Sequence, residues 1–120
     1  MNFIYVMIGG SLGALSRYLV GILLKKHFVH SFLTGSLLIN ILGSFLLAFL
    51  LQINHMDNNV KLALTTGFMG AFTTYSTFSY EILNHSQNSI YHALIYSFLM
   101  LFLSFMATLT GFYLGKSLFL

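Results

Sequence analysis

Four long apolar runs, parted by short polar stretches, govern what this chain can fold into. They extend from about Phe3 to Leu24, Phe32 to Ile53, Lys61 to Leu83 and Ile90 to Gly115. Each is roughly 20 residues or more, the length a helix needs to cross a hydrocarbon core of about 30 Å. Over the 120 residues, 58% are hydrophobic and 6% charged, against about 25% charged in a soluble domain. The expected fold is therefore all-α: one membrane domain over residues 1–120, with four transmembrane helices and the lipid bilayer as solvent. Short loops predict an up-down bundle with both termini on one side. The first run starts almost at Met1 without a basic leader and outlasts a signal core, so no cleavable signal is expected.

The third run contains the least helix-like stretch, residues 67–78. Two glycines, four Ser/Thr residues and four aromatics are crowded into it. Glycine weakens a helix, and Ser/Thr hydroxyls compete for backbone partners. In lipid such a stretch is tolerated only where it faces protein or a polar path, which makes it the candidate functional centre.

Polar stripes point the same way. Ser36, Asn40 and Ser44 fall on one face of the second span at a spacing of four. Asn40 lies near the bilayer midplane, where its amide serves either as interhelical glue or as a donor facing a polar path. Ser97, Ser104, Thr108 and Gly111 form a similar stripe in the fourth span. Gly9 and Gly13, and likewise Gly111 and Gly115, make GxxxG pairs, whose ordinary meaning is close helix packing. Arg17 inside the first span is either functional or a snorkelling side chain near Lys25. Glu81, near the end of the third, is the acid available to partner it.

Charge says little about orientation. Lys25, Lys26 and Arg17 stand against Lys61 and Lys116, so the positive-inside bias is nearly flat and insertion in both orientations is compatible with it. Five Lys/Arg against two acids give no basis for nucleic-acid binding. With no cysteine there is no disulfide framework. The five histidines (His27, His30, His55, His85, His92) fall in loops or at span ends without metal-ligand spacing. No nucleophile–base set, phosphate loop or carboxylate pair supports an enzyme.

Three segments carry a resemblance. Gly9-Gly10-Ser11-Leu12-Gly13-Ala14-Leu15-Ser16-Arg17-Tyr18 resembles the GGxxGAxxRY opening of the CrcB/Fluc fluoride channels. Residues 35–45 resemble their GTLxVNxxGxF segment, and residues 67–78 their GFxGxxTTFSTF signature, in the same order and over nearly the whole chain. The resemblance implies a passive, fluoride-specific exporter that relieves fluoride toxicity, multi-pass in the bacterial plasma membrane. It implies an antiparallel, dual-topology dimer with pores at the interface and a break in the third helix. It also implies a structural Na⁺ at the dimer centre, with Gly70 and Thr73 as this chain's ligands. Asn40, Tyr75, Phe78, Ser104 and Thr108 would line the fluoride pore, and Arg17 and Glu81 would be structural or at the vestibule. These residue types suit the task, because Asn amides and hydroxyls donate and aromatic edges are positive.

Tyr75 departs from the family pattern, which has Phe there, and Ser36 replaces a Thr. The Tyr75 hydroxyl bears on whether this chain forms two equal pores as a homodimer or is one half of a heterodimer with a homologous subunit. In that second case the chain would be an orientation-fixed or non-conducting partner. A small multidrug exporter is the rival of the same size. It requires a membrane-embedded carboxylate in the first span, and this chain has none there.

Overall fold

The computed structural model describes residues 2–27 and 35–119, and every element among them is helical. Helix α1 spans Asn2–His27 and α2 spans Gly35–Leu51. The start of the second apolar run (residues 32–34) and His30 lie outside the described residues. A third rod follows in three parts: α3 (Asn58–Leu62), a π-helical segment (Ala63–Met69) and a final turn, α4 (Gly70–Phe72). Thr73 and Thr74 are extended, α5 covers Tyr75–Asn88, and α6 covers Ile90–Phe119. Ser89 alone joins α5 to α6, so most of the hydrophilic segment 84–89 is helical.

Local chemistry sets these boundaries. The last turn of α1 carries Lys25, Lys26 and His27, cations that suit the negative end of the helix dipole. Asp57 caps α3 by accepting from the Asn59 and Val60 amides at 2.9 and 3.3 Å. Lys61 Nζ donates to the Leu51 carbonyl at 3.0 Å, closing off the C-terminus of α2 against the start of α3. The α2–α3 hairpin is thus tied by a cap at one helix end and a cation at the other.

Packing rests on small residues rather than on a large core. Helix α1 lies against the π segment and α4, while α2 lies against α6. A Cβ on Gly9 would sit 2.0 Å from the Ala63 carbonyl oxygen, and one on Gly13 would sit 2.2 Å from that of Phe68. Gly67 faces back, with the Val6 carbonyl oxygen 2.8 Å from its missing Cβ. The two backbones therefore touch, as small-residue interfaces in lipid allow. Gly111 sits equally close to the Phe45 carbonyl, which joins α6 to α2. The buried apolar cluster is correspondingly small: Leu37, Phe78, Tyr96 and Met100, with Ile41 and Ile82 packed on it.

The large apolar side chains mostly face outward. Helices α1 and α6 are long and apolar enough to cross a membrane, and only 11% and 17% of their most apolar stretches are buried. A core helix of a soluble protein would have its apolar face covered; here Leu101, Phe98 and Phe105 are each at least 60% exposed. This is the surface of an all-α membrane protein.

The glycine contacts make a direct prediction. In Gly13→Val the obstruction is backbone that cannot swing aside, so stability should fall by about 1–3 kcal/mol or more. Gly21→Ala, with nothing within 4 Å of the new carbon, should leave stability unchanged or slightly raised. Thermal unfolding of the two variants in detergent distinguishes them, and equal melting temperatures would refute the backbone-contact account.

Candidate functional site: the groove beside the interrupted helix

The site begins where the third rod stops. Thr73 N–H still reaches the Met69 carbonyl at 3.0 Å, and the Thr73 hydroxyl donates to the same oxygen at 2.9 Å. Thr73 then turns to φ −75°, ψ 156°, and Thr74 to φ −149°, ψ 124°. In a continuing helix Thr74 N–H would bond the Gly70 carbonyl. Instead it donates to Asn40 Oδ1 at 2.8 Å, while Asn40 Nδ2 donates to the Thr74 carbonyl at 2.9 Å. One side-chain amide thus satisfies both backbone groups of an extended residue inside the third apolar run, where an unpaired group would be costly. The Thr74 hydroxyl accepts from Thr77 N–H at 3.2 Å and so restarts the chain as α5.

Two cavities flank this point. The first, about 300 Å³, is an open groove lined by Asn40, Ser44, Thr73, Thr74, Tyr75, Phe78, Met100 and Ser104 with Leu47 and Leu101. It contains no carboxylate and no cation. Its polar groups are neutral: amide, hydroxyl and thioether. Tyr75 and Phe78 meet edge to face with centroids 5.8 Å apart. Phe78 is 5% exposed, whereas Tyr75 is 76% exposed and stands at the open side. The remaining N–H of Asn40 points to Met100 Sδ at 3.5 Å, and Ser104 Oγ approaches the same sulfur at 4.0 Å.

The second cavity, about 310 Å³, has the opposite character. Arg17, Lys25 and Glu81 line it, with Ser36, Thr77 and again Thr74. Glu81 Oε2 accepts hydrogen bonds from both the Ser36 and Tyr96 hydroxyls, and those two hydroxyls lie 3.0 Å apart. Tyr96 is fully buried, with the His85 ring 4.8 Å and the Phe78 ring 5.9 Å from its own. Thr74 is the residue common to both cavities.

Of the sequence candidates, the groove brings together Asn40, Tyr75, Phe78, Ser104 and Thr73 from three helices and the interruption. Thr108 is not among its lining residues; its hydroxyl donates to the Ser104 carbonyl at 2.9 Å, one turn back on its own helix. Gly70 is exposed, with open space around it. Arg17 and Glu81 line the second cavity. Sequence reasoning missed Tyr96 and Met100. An apolar-looking Tyr or Met within α6 carries no period that separates it from its neighbours, although Tyr96 lies four residues before Met100 and eight before Ser104 on the same helix.

Removing the Asn40 amide should therefore damage structure as well as any transport. In Asn40→Ala two backbone groups lose their partners, costing about 1–3 kcal/mol. Hydrogen exchange at the Thr74 amide should accelerate in the same proportion. Unchanged exchange there would show that the amide is dispensable to the interruption.

A family model described as "CrcB-like protein, Camphor Resistance (CrcB)" matches residues 4–112. Among curated relatives, a "Fluoride-specific ion channel FluC" of Thermosipho melanesiensis is 42% identical over 125 aligned positions, covering 100% of both chains. One of the same name from Gloeothece citriformis is 38% identical, covering 97% of this chain and 98% of the relative. A "Fluoride-specific ion channel FluC 1" of Bacillus cereus is 44% identical, covering 74% and 68%. With a family match from the first helix into the last and relatives of this identity over their full length, the chain belongs to the CrcB family of membrane proteins.

Proposed function

We propose that this chain conducts fluoride passively and selectively across the bacterial plasma membrane, relieving fluoride toxicity by export from the cytoplasm. Relatives identical at 42% and 38% over essentially the whole chain bear the name of fluoride-specific channels. The observation that carries the reading in this molecule is the groove, where neutral donors and ring edges converge with no charge to trap an anion. Fluoride is small and tightly hydrated, so a path must replace its water with close donors. Asn40 and Ser104 offer an N–H and an O–H, and the edges of Tyr75 and Phe78 carry the positive part of the ring quadrupole. Neutral donors bind without holding, which conduction requires. Arg17 and Lys25 in the second cavity would concentrate anions at the entrance, and Thr74, shared by both cavities, is the step between them.

The groove is open on the side of Tyr75, and a second copy of the chain supplies the missing wall in this proposal. The flat Lys/Arg distribution suits an antiparallel partner. The exposed Tyr75 hydroxyl favours a second arrangement, in which the partner is a homologous subunit and the two pores are unequal.

A structural Na⁺ at the dimer centre fits the donors available. Where the rod stops at Phe72, the Gly70, Ala71 and Phe72 carbonyls lose the amides that would bond them in a continuous helix. Free carbonyls at the negative end of a helix dipole are suited to a hard cation. The Thr73 hydroxyl donates its hydrogen to Met69, so its lone pairs remain available. Gly70, bare and exposed, lets a partner approach. When bound, Na⁺ would supply a fixed positive charge that holds the two interrupted helices together.

Fluoride efflux from liposomes containing the purified chain alone, read by a fluoride electrode against a chloride control, tests the proposal. Fast efflux of fluoride and not chloride is expected, and Phe78→Ile should reduce it to near the protein-free level while the dimer persists. Efflux from Phe78→Ile equal to wild type would remove that ring from the path. Exchange of Na⁺ for N-methylglucamine should lower the dimer's melting temperature in wild type and much less in Thr73→Val. Indifference of the wild type to this exchange would dispose of the sodium site.

A further inference from the structure

We propose that the Met100 thioether is a built-in stand-in for the anion, occupying the donors of the groove when no fluoride is present and setting its affinity. The inference rests on the fluoride-channel reading above. Asn40 has two N–H donors. One is held by the Thr74 carbonyl, and the other points to Met100 Sδ at 3.5 Å. The Ser104 hydroxyl, one turn along α6 from Met100, approaches the same sulfur at 4.0 Å. The two donors best placed to bind a permeating anion therefore converge on a single atom, and that atom is a weak acceptor.

Three features suit this side chain to exchange with an anion. A thioether is only a weak acceptor for these half-buried donors, so a fluoride ion taking both is favoured, whereas a carbonyl or carboxylate in its place would compete strongly. Methionine is unbranched with three rotatable bonds, so the sulfur can swing aside without moving the backbone. Met100 is 3% exposed and packs with Leu37, Phe78 and Tyr96, which couples its rotamer to the aromatic ring of the groove. Without the sulfur, the second Asn40 N–H would have no protein partner in the groove. The sulfur prevents that and yields to a better acceptor.

Met100→Leu keeps similar volume, so the fold is retained, but removes the acceptor. In liposomes of the full chain, the half-saturating fluoride concentration for efflux should fall roughly fivefold, equivalent to about 1 kcal/mol. Met100→Gln introduces a strong acceptor and should raise that concentration. The readout that a packing role would not move is the methionine methyl spectrum of ¹³C-labelled protein in nanodiscs. The resonance missing from Met100→Leu should shift with sodium fluoride and stay still with sodium chloride. If wild type conducts fluoride while this resonance is silent and Met100→Leu has the wild-type half-saturation, the inference is overturned and the channel reading survives. If wild type neither conducts nor responds in the spectrum, both fall.

Discussion

Everything near the centre of this molecule follows from one constraint: backbone groups at membrane depth have no water to fall back on. The chain nevertheless places two extended residues, Thr73 and Thr74, inside its third apolar run. It does so by taking an amide from a different helix. Asn40 presents its oxygen to Thr74 N–H and its nitrogen to Thr74 C=O, as a neighbouring strand would. The Thr73 and Thr74 hydroxyls serve the two helix ends on either side. The interruption is thus fully bonded on the side of Asn40, while carbonyls at the end of α4 are released from the helical ladder. A helix that simply continued would deny Asn40 both of its bonds to the Thr74 backbone.

The second dependence is on contact between backbones. Gly9 and Gly13 let α1 rest directly on the π segment, and Gly111 lets α6 rest on α2. In lipid there is little hydrophobic gain from bringing helices together, so close van der Waals contact has to hold them. These contacts leave the two halves of the interrupted rod with different neighbours: α4 stays with α1, and α5 goes to α6. That divergence opens the space on each side of Thr74. The neutral groove lies on one side and the cavity of Arg17, Lys25 and Glu81 on the other. In the proposed anion path this segregation would give attraction at the mouth and weak binding within.

Sequence by itself determined the class of the protein. Four runs of apolar residues with few charges admit only helices in lipid, and the glycine spacings mark the faces on which helices can touch. The clustering of Gly, Thr and aromatic residues in 67–78 picked out the centre, since each residue type there weakens a helix for its own reason. The polar stripe on the second span singled out Asn40, because an amide in mid-membrane must have a partner. What that partner is lay beyond the sequence: Thr74 is 34 positions away, and no period links them.

Only the tertiary structure decided which polar groups meet. Glu81 read as a partner for Arg17, yet its carboxylate takes the hydroxyls of Ser36 and Tyr96. Thr108 shares a stripe with Ser104, yet its hydroxyl bonds back to its own helix instead of lining the groove. Met100 and Tyr96 look like two more apolar residues of α6 until α2 and α5 are packed against them. The physical reason is the same in each case. Helical period assigns a residue to a face, but a hydrogen bond requires two faces to be brought within about 3 Å, and the crossing of helices sets that.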